Sequence, residues 1–235
     1  MKKNYAVIAA GGLGTRLKNY KQNVHTKVLI DINGISMISL QIKQLLSWGL
    51  SNFVIITNPE YHNMIKKDVE LNFNNITIHF VVQHEPNGIA DALSYANNYI
   101  PKNSLVTFVL GDNFFGSNPL SDLNLENFSG AHLFVKEVSN PQEFGVIEVV
   151  DNKVINLHEK PQSYISQFAV VGLYIYEYRC FDYIKLLKPS ARGELEITDL
   201  NKVFLNKEDI NYSILESWWI DAGTEERIQM LKNLL

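Results

Sequence analysis

The first half of the chain alternates apolar runs with stretches of helical spacing. The runs are Tyr5–Ala10, Asn52–Ile56, Ile76–Val82 and Leu105–Leu110. Tyr5–Ala10 is apolar throughout, as suits a parallel strand buried on both faces. Between the runs, Met37, Leu40, Gln41, Gln44, Leu45 and Trp48 share one side of a helix that Gly49 closes. Pro59 is expected to open a second helix through about Glu70, and Gly88–Asn98 a third, with Ile89, Ala92, Leu93 and Ala96 on one face. A βαβαβαβ order predicts an open, mostly parallel sheet covered by helices on both faces.

The second half is mostly strands: Ala131–Val138, Gly145–Val150, Lys153–His158, Phe168–Tyr176 and Asn211–Leu215. Asp151-Asn152 is a hairpin turn, short helices fit Arg179–Leu187 and Glu196–Leu205, and Thr224 caps a final helix. No linker or repeat divides the chain, so residues 1–235 are expected to form one α/β domain.

Composition narrows the function. A net charge of −4 argues against nucleic-acid binding by bulk electrostatics. The single cysteine, Cys180, excludes an intramolecular disulfide and reads as a small buried hydrophobe. Neither a signal peptide nor an apolar run of membrane-spanning length is present, which makes the cytoplasm the expected compartment and a membrane an unexpected partner.

In such a sheet ligands sit at the carboxyl ends of the strands. Gly11-Gly12-Leu13-Gly14-Thr15-Arg16-Leu17 follows the first strand. Glycines there bring backbone N–H groups close to a phosphate, and Arg16 or Lys27 can neutralise its charge. The turn is neither a P-loop nor a dinucleotide fingerprint, since Leu17 stands where a third glycine belongs. Gln83 and Gly88 bracket the loop after the third strand, and an amide has both the donor and the acceptor to pair with a uracil or thymine edge. Asp112 ends the fourth strand, where a carboxylate can hold Mg²⁺ against a triphosphate, with Asp221 as a second candidate. Lys160, in Glu159-Lys160-Pro161, could hold a phosphate as a point charge. Each of these residues also has a plain structural role open to it, as a turn, cap or solvated loop. The histidines lack zinc-site spacing.

Taken together, these stretches resemble the sugar-phosphate nucleotidylyltransferases, most nearly the glucose-1-phosphate thymidylyltransferase subgroup. The likeness is carried by the glycine turn, Gly111-Asp112-Asn113-Phe114-Phe115, Glu159-Lys160-Pro161, Arg192-Gly193-Glu194-Leu195-Glu196-Ile197-Thr198-Asp199 and Trp219-Ile220-Asp221-Ala222-Gly223-Thr224, in family order. The resemblance implies a single Rossmann-like three-layer α/β/α domain of the nucleotide-diphospho-sugar transferase type. Its nucleotide-binding half would be residues 1–115 and its sugar-phosphate half residues 116–235. It implies that Gly11, Gly14 and Thr15 contact the nucleotide, and that Arg16 and Lys27 grip the triphosphate. Gln83 and Gly88 would read the base, and Asp112 and Asp221 would bind Mg²⁺. Gly145, Glu159 and Val170 would hold the sugar, and Lys160, together with Arg192, its phosphate. The implied reaction joins an NTP, dTTP first, to a sugar 1-phosphate, glucose 1-phosphate first, and releases pyrophosphate. It would serve surface polysaccharide or deoxysugar biosynthesis.

Two departures qualify the likeness. The stretch Lys18–Thr26 lacks the family's proline before the lysine, which leaves Lys21 as an alternative to Lys27. The chain ends soon after Asp221, so the C-terminal allosteric helices of the feedback-inhibited members are not expected, and a homo-oligomer stays open. UTP or CTP with another sugar 1-phosphate or phosphocholine is the alternative chemistry. A non-catalytic sugar-nucleotide sensor is the alternative of another class, against which the retained Arg16, Lys160, Asp112 and Asp221 argue.

Overall fold

A computed structural model describes residues 2–12 and 26–235 of the chain. The elements follow in order. Strand β1 (Asn4–Ala9) is followed by a 3₁₀ turn at Lys27–Leu29 and a small hairpin, β2 (Asp31–Ile32) and β3 (Ile35–Ser36). Next come α1 (Met37–Ser47), β4 (Asn52–Thr57), α2 (His62–Asn72), β5 (Thr77–Val82), α3 (Ile89–Ser94), β6 (Leu105–Leu110) and β7 (Asn113–Phe115). The second half runs through β8 (Ala131–Glu137), β9 (Gly145–Val150), β10 (Lys153–Glu159), β11 (Phe168–Glu177), α4 (Cys180–Ile184), α5 (Ile197–Leu205), β12 (Ile210–Ile214), β13 (Trp219–Asp221) and α6 (Glu225–Leu234).

Strands β6, β1, β4 and β5 lie side by side and parallel, as the alternating pattern predicts. The long strand β11 then reverses direction. Its C-terminal part pairs antiparallel with β6, its Ala169 with β9, and its other edge with β8. Strand β12 joins β8, and β10 closes the hairpin with β9. Both halves of the chain thus share one mixed sheet, with β11 as the seam.

Side chains on a strand alternate between faces, and β1 shows what each face meets. Tyr5 and Val7 pack with Leu93 of α3, Phe181 of α4 and Phe204 of α5. Ala6 and Ile8 pack with Ile42 and Leu45 of α1 and Ile65 and Val69 of α2. Helices therefore cover both faces, in three layers. Helix α1 starts where Ser36 accepts from the Ser39 N–H at 3.2 Å. Helix α6 starts at Thr224, which accepts from the Arg227 N–H at 3.3 Å. Asp151 and Asn152 both take positive φ (50° and 59°), as a two-residue hairpin turn requires. Cys180 is fully buried, as expected, and burial pushes its thiol up.

Several expected boundaries move. Helix α2 begins at His62 rather than Pro59, because Asn58 accepts from the Tyr61 N–H at 2.8 Å and closes a side-chain turn first. The predicted 88–98 helix stops at Ser94 and resumes only as a 3₁₀ turn at Asn97–Tyr99. The 179–187 helix contracts to Cys180–Ile184. The β2–β3 hairpin and the β7–β13 pair were not expected. Among the described residues no helix is long and apolar enough to cross a membrane.

One buried group gives the fold a pH dependence. His132 on β8 is 7% exposed and hydrogen-bonded to Ser213 on β12 at 2.8 Å, and burial pulls its imidazole from 6.5 down to about 4. Between these values the unfolded chain takes up a proton that the folded chain refuses, so stability falls as pH drops through that window. The full drop corresponds to about 3 kcal/mol. Urea titrations from pH 7 to pH 4 should show a shallower loss for His132→Gln than for the unaltered protein. Parallel curves would contradict this assignment.

Candidate functional site

The loops after β1, β5 and β6 emerge at one edge, the carboxyl ends of parallel strands, where such sheets place ligands. Two adjoining cavities lie there. The first, about 310 Å³, is lined by Gly11, Gly12, Gln83, Gly88 and Gly111. The second, about 450 Å³, is lined by Gly145, Glu159, Lys160, Val170, Arg192 and Asp221. Lys27 and Asp112 line both, so they mark the joint between the two. Gly14, Thr15, Arg16 and the alternative Lys21 lie outside the described residues.

At the joint, the Lys27 ammonium donates to Asp112 Oδ2. Burial alone would raise the Asp112 carboxyl, but the charge and hydrogen bond of Lys27 and the Asn113 amide outweigh it and hold the group below its ordinary value. Asp112 thus stays a carboxylate. Its other oxygen accepts from Asn113 Nδ2 at 2.8 Å. Asn113 Oδ1 in turn accepts from the Gly172 N–H at 3.0 Å and from Trp219 Nε1 at 2.7 Å. Asp221 is set opposite Asn113 by the β7–β13 register, and the Ala222 N–H donates to the Asp112 carbonyl at 2.7 Å. Arg227 lies 3.7 Å from Asp221 and 3.0 Å from Glu143. No group of three or more His, Cys, Asp or Glu is arranged for a metal among the described residues. Two carboxylates on one cavity wall nonetheless suit Mg²⁺, which takes one or two carboxylates and completes its shell with phosphate oxygens and water.

In the first cavity, Gln83 donates from Nε2 to Asp91 Oδ2 at 2.7 Å and to the Gly88 carbonyl at 3.3 Å. Gly88 has φ +112°, and a Cβ there would stand 2.5 Å from the Leu195 carbonyl oxygen. That close approach carries two backbone bonds, Leu195 N–H to Asn87 O at 2.7 Å and Ala90 N–H to Leu195 O at 3.1 Å. They clip the loop after β5 to the Arg192–Asp199 segment, so the two cavities share a wall.

In the second cavity, Glu159 accepts from Thr198 Oγ1 at 2.6 Å and from Arg192 at 3.2 Å. Gly145 keeps the space beside them open: a Cβ would stand 3.1 Å from Thr198 Oγ1. The two basic residues differ. Arg192 faces three carboxylates, Glu159, Glu194 and Glu196, at 3.2, 3.6 and 2.7 Å. Lys160 has no ion pair among the described residues, and its backbone takes φ +41° although it precedes Pro161. The sequence reading did not assign site roles to Asn113, Thr198 or Trp219. All three stand within motifs recognisable in the sequence, but only the tertiary structure shows what their side chains bind.

Comparison with known proteins identifies the family. The nucleotidyl transferase family model matches residues 5–233. The chain belongs to the nucleotidyl transferase family. It is 37% identical over 229 residues to the glucose-1-phosphate thymidylyltransferase of Neisseria meningitidis, covering 94% of this chain and 79% of the relative. It is 34% identical to the enzyme of that name from Mycobacterium tuberculosis, over 93% and 77% of the two chains. A crystal structure described as a putative glucose-1-phosphate thymidylyltransferase from Bacillus anthracis, in complex with sucrose, superposes with a TM-score of 0.88 at 32% identity, covering 98% and 94%. A UDP-glucose pyrophosphorylase complexed with UDP-glucose shares the fold at TM-score 0.85 and 19% identity, covering 99% and 98%.

In this nucleotidyltransferase the clip at Gly88 should be sensitive to a single methyl. Gly88→Ala would meet Leu195 backbone atoms and impose a side chain at positive φ, which costs about 1–3 kcal/mol. Hydrogen exchange should accelerate at the Ala90 and Leu195 amides while those of β1 and β6 keep their protection. Unchanged exchange at both amides would show that the clip does not depend on the glycine.

Proposed function

We propose that this nucleotidyltransferase joins an NTP, dTTP first, to a sugar 1-phosphate, glucose 1-phosphate first, giving an NDP-sugar and pyrophosphate. One observation carries the reading. A cavity edged by glycines and the Gln83 amide adjoins one edged by Glu159 and Lys160, and Lys27 and Asp112 stand at the joint. The first suits a nucleotide and the second a phosphorylated sugar, so the reacting phosphates would meet between them. The names of similar relatives support the choice of dTTP and glucose 1-phosphate. A nucleotide-sugar precursor for a surface glycan is the product this would supply, from NTP in the cytoplasm.

The sugar phosphate is already a nucleophile at neutral pH, so no general base is required. One of its oxygens forms a bond to the α-phosphorus as the bond from that phosphorus to pyrophosphate breaks. The obstacles are repulsion between two anions and in-line geometry, and both are met by positioning and preorganised charge. Gln83 and Gly88 hold the base, while Glu159 accepts from sugar hydroxyls, with Gly145 and Val170 shaping the wall. Lys160 aims the attacking phosphate, Lys27 neutralises the triphosphate, and Arg16 stabilises the leaving pyrophosphate. Asp112 and Asp221 would hold Mg²⁺, which when bound supplies charge neutralisation to the phosphates. Arg192 is neutralised by its three carboxylates, Glu196 most closely, and also holds Glu159.

A pyrophosphate-release assay with Mg²⁺, pairing dTTP, UTP and CTP with several sugar 1-phosphates, tests this. Turnover is expected with dTTP and glucose 1-phosphate. Asp112→Asn should lower it roughly 10²–10³-fold, by analogy with the loss of one preorganised charged group. Lys160→Gln should raise KM for the sugar phosphate more than for the nucleotide. No turnover with any pair would defeat the reading, and turnover with UTP but not dTTP would overturn the choice of nucleotide.

A further inference from the structure

Gln83 is 9% exposed, and its side chain is held by acceptors only. One Nε2 hydrogen goes to Asp91 Oδ2 at 2.7 Å and the other to the Gly88 carbonyl at 3.3 Å. Turning the amide over would set its carbonyl oxygen against both, so the amide has one stable orientation. That orientation leaves Oε1 as the free end. It stands 3.6 Å from where a Cβ of Gly11 would be, beside the wall of the first cavity, and accepts no hydrogen bond among the described residues. The Gly88 N–H, on the same wall, likewise makes none among them.

We propose that Asp91 is a positioning residue that sets base selectivity. By locking the Gln83 amide, it makes the cavity present an acceptor and commits it to a base with an N–H flanked by carbonyls, as in uracil and thymine. Cytosine is the same size but has an unprotonated ring nitrogen at that position. It would bring a lone pair against the locked Oε1, and the amide could not turn to donate. The proposal rests on the reading of the first cavity as a nucleotide site, and it deepens that reading. Asp91 lies in the first turn of α3 behind Gln83 and does not line the cavity itself, so it acts only through the amide. The carboxylate matters because it can only accept. Asparagine would have the same shape but could offer either end, and alanine would remove the partner.

Calorimetric titration with dTTP, UTP and CTP, followed by turnover with each, tests this on the full chain. The unaltered protein should bind dTTP and UTP about 10²-fold or more tighter than CTP, since a fixed acceptor facing an acceptor is left unpaired. In Asp91→Ala that ratio should fall below about tenfold, chiefly because CTP binds better, and Asp91→Asn should fall between the two. KM for the sugar 1-phosphate should stay unchanged in both. A merely structural role would weaken all three nucleotides alike and leave the ratio intact, and that outcome overturns the proposal. An unaltered protein that binds CTP as tightly as dTTP overturns it without any variant. The two readings fail differently. If no nucleoside triphosphate binds, the nucleotide site itself is wrong. If dTTP and UTP are preferred and both Asp91 variants keep the full ratio, the site stands and the role of Asp91 falls.

Discussion

The side chain of Asn113 lies between three elements and uses both ends of its amide. Its oxygen accepts from the Gly172 N–H of β11 and from the Trp219 indole of β13, while its nitrogen donates to Asp112. Its backbone carbonyl accepts from Gln41 of α1 at 3.0 Å. The residue is 2% exposed, so water cannot replace any partner that is lost. Gly172 is what permits the approach, since a Cβ there would stand 2.7 Å from the amide. Because β13 pairs with β7 in the register Asp221 to Asn113, the same contact fixes the separation of the two aspartates. The seam strand, the edge that carries the two cavities and the carboxylate pair are thereby one mechanical unit.

Charge is balanced around that unit before any substrate arrives. Lys27 satisfies Asp112, Arg227 lies against Asp221 and Glu143, and Arg192 sits among three carboxylates. A site built to receive a triphosphate and a sugar phosphate needs cations, yet unpaired cations would repel one another and leave the ligand-free fold strained. Pairing them with carboxylates solves this, and the entering phosphates then compete for cations already in place. It also explains why Arg192 and Lys160, which read alike in the sequence as phosphate ligands, take different parts. One charge is neutralised by its neighbours, and the other has no ion pair among the described residues.

The parallel half of the sheet was legible because its signal is local. Each of β1, β4, β5 and β6 is an apolar run bounded by polar residues, and the helices between them carry their own periodicity. The edge on which the loops converge follows from strand order alone, which is why Gly11, Gln83, Gly88 and Asp112 could be placed together. What escaped was non-local. The β7–β13 pair joins two three-residue strands about a hundred residues apart, too short for either to show a pattern. The break after Ser94 was hidden because Ala96 keeps the apolar spacing while the backbone leaves the helix. Helix α2 lost its first turn to the Asn58 side chain, a local competition that proline placement does not reveal.

The backbone at Lys160 completes the account. A residue before proline is driven toward extended conformations, and a branched-free L residue at positive φ is uncommon in any context. Lys160 is in both situations at once, with φ +41°. It is held there because its N–H donates to the Phe144 carbonyl at 3.1 Å, continuing the β9–β10 ladder beyond the pair of Glu159 and Gly145. Strain of this kind persists where the surroundings overdetermine it, and it clusters at ligand clamps. At Lys160 it ends the strand abruptly, so that Glu159 and Lys160 both line one cavity although successive residues of a regular strand face opposite ways. A carboxylate and a cation can then sit side by side on consecutive residues of that cavity. A cation whose backbone is already set gives up less freedom on gripping an anion than one on a mobile loop.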